Sequence, residues 1–150
     1  MVFKMKGIQI YKTKKHIKIV TMYQQESKAY IISEPIFILS LDEDISKVKD
    51  NIFLALDSSR KISEKEEDKF WLGNTLLKKM NETSFQKLYV SSKSCMIFLE
   101  KNKIKIIPLK YAGKGLGLTE DIGVIEMSFN SSDKEKIALK ILDCLNRDSV

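Results

Sequence analysis

Residues 5–12 alternate apolar and polar positions, with Ile8 and Ile10 on one side of an extended chain. After Thr13-Lys14-Lys15 the alternation resumes from His16 to Tyr23: Ile17, Ile19 and Tyr23 face one way, Lys18, Val20 and Met22 the other. Successive side chains of a strand point to opposite faces, so the two runs predict a β-hairpin, although its turn lacks an Asn-Gly or Asp-Gly pair. Lys28 to Ser33 and Ile36 to Leu39 predict two further short strands, broken at Pro35. From Asp44 the period changes. Ile45, Val48, Ile52, Ala55 and Leu56 form one stripe of a helix over about 44–57, with Asp44 or Asp42 as its cap.

The second half of the chain repeats this order. Ser94 to Glu100 and Lys103 to Tyr111 predict strands joined across Lys101-Asn102; a glycine-rich loop and a strand from Ile122 to Phe129 follow. Ser132 and Glu135 make a capping-box pattern, and Ala138, Ile141, Leu142 and Leu145 form the stripe of a helix over about 133–146. Offsets of 87 in the strands and 89 in the helices align Ile17-Lys18-Ile19 with Ile104-Lys105-Ile106, and Ile52 with Ile141. The expectation is one α+β domain over residues 1–150. It contains two antiparallel β-meander-plus-helix halves, about 1–60 and 83–150, related by an approximate internal repeat and forming two antiparallel sheets.

Residues 63–81 interrupt the repeat as a helical connection. Ser63 and Glu66 make a capping box that opens an acidic first turn of Glu64, Glu66, Glu67 and Asp68; along the segment Phe70, Leu77 and Met80 share a face, and Gly73-Asn74 is a natural interruption. Thr83 to Ser92 fits either a short strand or a further helical turn.

Composition narrows the function classes. A chain with 43% hydrophobic and 31% charged residues is an ordinary globular protein, and no apolar run approaches the roughly 18 residues needed to span a bilayer. Met1 to Gly7 has basic residues but no hydrophobic core region or cleavage site, so no signal peptide is expected and the expected location is cytoplasmic. Cys95 and Cys144 fall within apolar patterns and are expected as reduced core thiols. The net charge of +6 comes from 24 Lys and 2 Arg, Arg60 and Arg147, against 20 acidic residues. A positive field favours anionic partners, yet the guanidinium fork that reads nucleic acid is almost absent.

Catalytic groups do not assemble. His16 is the one histidine, which rules out a two-histidine metal site, and its lysine neighbours mark it as a solvated strand residue. No metal and no cofactor are expected. Gly113-Lys114-Gly115-Leu116-Gly117 lies between two strands rather than between a strand and a helix, so it predicts a hairpin connection and not a phosphate loop. The acidic groups Asp42/Glu43/Asp44 and Glu64/Glu66/Glu67/Asp68 sit at helix starts, where capping and the helix dipole account for them. At least one of Phe70 and Trp71 is expected to pack in the core, and Trp71 is the best single anchor if the chain has an interface here.

Lys14 to Val20, Ser33-Glu34-Pro35-Ile36-Phe37, Ser84 to Tyr89 and Ser92-Lys93-Ser94-Cys95 together resemble the CdiI immunity proteins of contact-dependent growth inhibition systems. The resemblance covers most of the chain, in order, and contains no chemical motif. It implies a non-catalytic protein that forms a one-to-one complex with a cognate CdiA C-terminal toxin domain, often a nuclease acting on tRNA or DNA. It also implies a Whirly-like arrangement of two sheet-plus-helix halves. Because a nuclease presents a cationic surface to phosphate, the expected toxin-binding residues are Glu64, Glu66, Glu67, Asp68 and Trp71. The competing expectation is a single-stranded nucleic-acid binder using Lys12, Lys14, Lys15, Lys18, Lys103 and Lys105. Aromatic residues are sparse there, so nucleic-acid binding is expected to be weak at most.

Overall fold

The computed structural model describes residues 5–146; the leader reading at residues 1–4, and Arg147, lie outside the described residues. The chain opens with β1 (Met5–Lys12), β2 (His16–Gln24) and β3 (Tyr30–Ser40), followed by helix α1 (Ile45–Ser58). The two runs predicted on either side of Pro35 are one strand. Val20 faces Ile36 and Thr21 faces Ser33, so Glu34 and Pro35 are passed over as a bulge. The hydroxyls of Thr21 and Tyr23 donate to the carbonyls of Pro35 and Glu34, at 2.9 and 2.5 Å, and hold that bulge to β2. Proline costs β3 no ladder bond because β3 is an edge strand.

The connection is a 3-10 turn (Glu64–Glu66) and three short helices, α2 (Glu67–Phe70), α3 (Asn74–Lys79) and α4 (Phe85–Ser91). The interruption at Gly73 is real: its φ of +56° is a conformation suited to glycine. Ser84 caps α4, its side chain accepting from the Lys87 N–H, and this settles the Thr83 to Ser92 ambiguity as helix. The second half runs β4 (Lys93–Glu100), β5 (Lys103–Gly113), β6 (Gly117–Glu120), β7 (Ile125–Ser128) and α5 (Lys134–Asn146). The predicted strand from Ile122 to Phe129 is shorter, and Ile122 is 80% exposed. The glycine segment does form a hairpin connection, into the short strand β6. The capping box before α5 is formed by Asn130 and Asp133, not Ser132 and Glu135.

The α+β class with antiparallel strands holds, but the halves share one seven-stranded sheet rather than two sheets. Its order is β3-β2-β1-β4-β5-β6, with β7 also paired to β5. β1 and β4, the leading strands of the two halves, pair antiparallel over eight positions, with Ile8 opposite Ile97 and Ile10 opposite Cys95. Each would otherwise present an open row of backbone donors and acceptors, and mutual pairing removes both edges.

Helices α1 and α5 pack side by side on one face of the sheet. Their stripes meet Ile8, Ile10, Ile17, Ile19, Ile97, Ile104 and Ile106 in one core that includes Cys95 and Cys144. Ile52 and Ile141 are both fully buried there. Full burial of such a side chain contributes about 1.5–3 kcal/mol. Ser59 closes this layer, its Oγ accepting from the Gly7 N–H at 2.9 Å and its hydroxyl donating to the Met22 carbonyl. On the opposite face α3 and α4 cover part of the sheet through Tyr11, Val20, Leu76, Met80 and Leu88.

Candidate functional site

The five acidic and aromatic residues expected at a partner interface lie on one continuous turn, from Glu64 through α2 to Trp71. Two of the four carboxylates work inside the protein. Glu66 takes a forked contact from Arg60, at 2.6 and 3.2 Å, and accepts from the Ser63 N–H at 3.0 Å. The Arg60 hydrogen bond first, and the Ser63 N–H second, hold its carboxyl down at about 2, against an ordinary 4.5. Glu67 accepts from the Gln25 side chain at 2.5 Å. Phe70 points inward against Tyr23, ring centroids 4.4 Å apart, with the Arg60 guanidinium 5.3 Å above it. These contacts orient the turn and leave Glu64 and Asp68 exposed, with no ion pair among the described residues. Trp71 is 68% exposed.

Beside Trp71 lies a cleft of about 360 Å³. Its walls include Tyr30 and Ile32 of β3, Leu72 after α2, and Phe85 and Tyr89 of α4. Sequence reasoning named Trp71 and missed the rest, because residues from three separate segments converge only when the connection folds onto the sheet. Tyr89 is backed by the buried Tyr11, with centroids 6.4 Å apart, and stands beside Phe85 at 5.9 Å. Burial raises the phenols of Tyr30 and Tyr89 above the ordinary value.

The α3–α4 corner is fixed from beneath by Lys18. This residue is 3% exposed, donates to the Met80 carbonyl at 2.5 Å and pairs with Glu82. The expected basic face therefore loses Lys18. A sign of this was present in the alternation, which puts Lys18 on the same side as Val20 and Met22.

The other lysines form two groups. Lys12, Lys14 and Lys15 cluster at the β1–β2 turn, with Lys12 donating to Asn146. Lys103 and Lys105 flank a cleft that also contains Glu100 and Glu126. Lys12 pairs with Lys93 at one end of the β1–β4 ladder, whereas Glu100, opposite Lys103, pairs with Met5 at the other. Seven residues of strand, about 23 Å, separate those ends. The six lysines do not make one track. His16 begins β2, and Lys114 is exposed at the β5–β6 tip. No group of three His, Cys, Asp or Glu side chains placed to hold a metal ion occurs among the described residues. No helix of those residues is long and apolar enough to cross a membrane.

No family model and no curated protein matches this chain. Two solved structures are similar along nearly its whole length. A protein of unknown function, NMB0488 from Neisseria meningitidis, superposes with a TM-score of 0.75 at 20% identity, covering 99% of this chain and 98% of its own. A chain of a CdiA-CT/CdiI toxin and immunity complex from Yersinia pseudotuberculosis superposes with a TM-score of 0.64 at 14% identity, covering 95% and 98%. At these identities the likeness is one of fold.

Proposed function

We propose that this chain is an immunity protein that binds a cognate CdiA C-terminal toxin domain one-to-one and neutralises it without catalysis. The observation that carries this reading is the end-to-end fold likeness to a chain of a toxin and immunity complex. The surface is in keeping with it: an aromatic cleft, a Trp two-thirds exposed in its wall and, earlier on the same turn, two exposed carboxylates without ion pairs among the described residues. Interfaces concentrate their binding energy in such aromatic anchors. The toxin is proposed to be a nuclease, whose phosphate-binding surface is cationic and would be met by Glu64 and Asp68. Glu66 and Glu67 then act indirectly, by presenting the turn.

The test is co-expression with the toxin-like reading frame adjacent to this gene. Wild-type chain should restore growth and co-purify with the toxin domain. E64K/D68K should weaken the complex tenfold or more, mainly through faster dissociation, because removing one partner of a charge pair acts on the off-rate. Its thermal midpoint should fall by only a few degrees, since neither carboxylate makes an ion pair among the described residues and only the favourable helix-start charge is lost. Cells that die despite abundant folded protein would end the immunity reading, and unchanged affinity of E64K/D68K would end the site assignment.

A further inference from the structure

We propose that the small cleft where the β1–β2 turn meets the end of α5 binds one phosphate group, free or terminal on a larger molecule. Its lining is Lys12, Thr13, Lys14, Ser91, Lys93 and Asn146, around a volume of about 200 Å³. That is below the roughly 300 Å³ at which pockets begin to hold drug-sized ligands, and it leaves room for a tetrahedral oxyanion. The sheet register explains why lysines gather here. Lys12 ends the core-facing positions of β1 after Ile8 and Ile10, and Lys93, opposite it, begins those of β4 before Cys95 and Ile97. On β5, Lys110 follows Ile104 and Ile106 on the same face. It stands one position past the last β4–β5 pair, Ser94 with Leu109, and so beside Lys93. Three adjacent strands, about 4.8 Å apart, thus each place a lysine in one row, where α5 stops covering the sheet. Like charges opposite one another across a ladder repel, and an anion seated among them turns that repulsion into attraction.

The donors are in place. Lys12 donates to Asn146 Oδ1, which occupies the amide oxygen and leaves the Nδ2 hydrogens as donors. Thr13 fixes the turn: its N–H donates to the His16 carbonyl at 2.8 Å, and its Oγ accepts from the Lys15 and His16 N–H groups at 3.3 and 3.0 Å. Lys14 and Lys110 are exposed and in no ion pair among the described residues. Four carboxylates share this end of the molecule, and none lines the cleft. Asp42, Glu43 and Asp44 precede α1, beyond the Ser40 that faces His16; Asp42 accepts from the Ser40 hydroxyl and Glu43 pairs with Lys47. Asp143 is exposed about one turn before the end of α5, whose carbonyls add about half a negative charge, less than the lysines supply. A phosphate dianion offers oxygens on every side and suits ammonium groups, which bind it as point charges. A carboxylate's coplanar oxygens suit the guanidinium fork, and no Arg lines the cleft.

The test follows backbone amides and lysine ammonium groups of the full chain by NMR at about pH 8, where phosphate is doubly charged. Sodium phosphate is titrated against sodium acetate and sodium chloride at matched ionic strength. Phosphate should shift residues 12–16, 91–93 and 146 together and saturably, at least tenfold more tightly than acetate. Adenosine 5′-monophosphate separates the sources: if it binds like inorganic phosphate, a terminal phosphate is accepted, and if it does not, the site takes the free ion; both results support the site. Thymidylyl-(3′→5′)-thymidine, with one singly charged diester, should bind at least tenfold more weakly than inorganic phosphate. K14Q/K110Q should weaken phosphate binding at least tenfold and leave the phosphate-free thermal midpoint unchanged, because both side chains are exposed and in no ion pair among the described residues. K103Q/K105Q, in the other group of lysines, should change neither. Shifts that never saturate, equal binding of acetate or the diester, or wild-type affinity in K14Q/K110Q would overturn the proposal. None of these readouts involves a toxin, so the immunity reading stands or falls separately.

Discussion

Replacing Lys18 with Met should destabilise the protein by about 3 kcal/mol. Methionine keeps most of the aliphatic stem, so the cavity term is small. What is lost is the ammonium's bond to the Met80 carbonyl and its pairing with Glu82. Hydrogen bonds to charged groups are worth about 1.5–3 kcal/mol each, and breaking a fully buried ion pair costs about 3–5 kcal/mol. The Glu82 side chain retains 16% exposure against 4% for Lys18, so water partly rehydrates the abandoned carboxylate and the figure falls at the low end of that range. For a chain of 150 residues this corresponds to a fall in Tm of roughly 6–12 °C. K18M/E82Q should recover at least about 1 kcal/mol of the loss, since the uncompensated charge is gone. The assay is urea unfolding of wild type, K18M, E82Q and the double variant, read as a thermodynamic cycle. Hydrogen exchange at residues 74–91 should rise in K18M before it rises in α1 or α5. A K18M cost below about 1 kcal/mol, or additive single effects, would mean that the pair does not anchor the α3–α4 corner.

Ile52→Ala and Ile141→Ala should each cost about 2–5 kcal/mol in the same assay, because both side chains are fully buried in the core beneath the sheet. A shift below about 1 kcal/mol at either position would remove that helix from the core. Glu66 should titrate near 2 in a carboxyl NMR experiment. Its folded pKa is depressed, so its contribution is complete above the unfolded value of 4.5 and is lost as pH falls towards about 2. Glu66→Gln should thus narrow its deficit from wild type across that window, and a midpoint at or above 4 refutes the Arg60 pairing. Single-stranded DNA should bind weakly and be released between low and moderate salt, since the exposed lysines act as two separate groups. Sequence-selective binding that survives physiological salt would revive the nucleic-acid alternative.

The helices α1 and α5 were legible because their periodicity is local: Val48, Ile52 and Leu56, and Ala138, Ile141 and Leu145, each lie about one turn from the next. The β1–β4 ladder was not, since alternation within a strand says which face is buried and nothing about which strand lies alongside. β3 read as two pieces for a related reason. Pro35 forbids a ladder bond wherever the strand has neighbours on both sides, and only the sheet order reveals that β3 has one. At the candidate site, the capping role of Glu66 followed from spacing. The pairing of Glu67 with Gln25, 42 positions away, did not, and neither did the aromatic walls drawn from β3 and α4.

The antiparallel seam between β1 and β4 also sets a timetable. Ile8 meets Ile97 across that seam, 89 positions later in the chain. At about 5–20 residues per second, synthesis leaves the inner edge of β1 open for roughly 5–20 s before its partner strand exists. During that interval α1 has half a hydrophobic floor to settle on, because the other isoleucines of the shared core belong to β4 and β5. A nascent chain in this state offers a long, unpaired, apolar strand to any other nascent chain on the same message. The same topology makes fragments cut between residues 60 and 83 poor stand-ins for the whole. Each would carry an open strand and an uncovered helix face, and the two should regain solubility only when mixed.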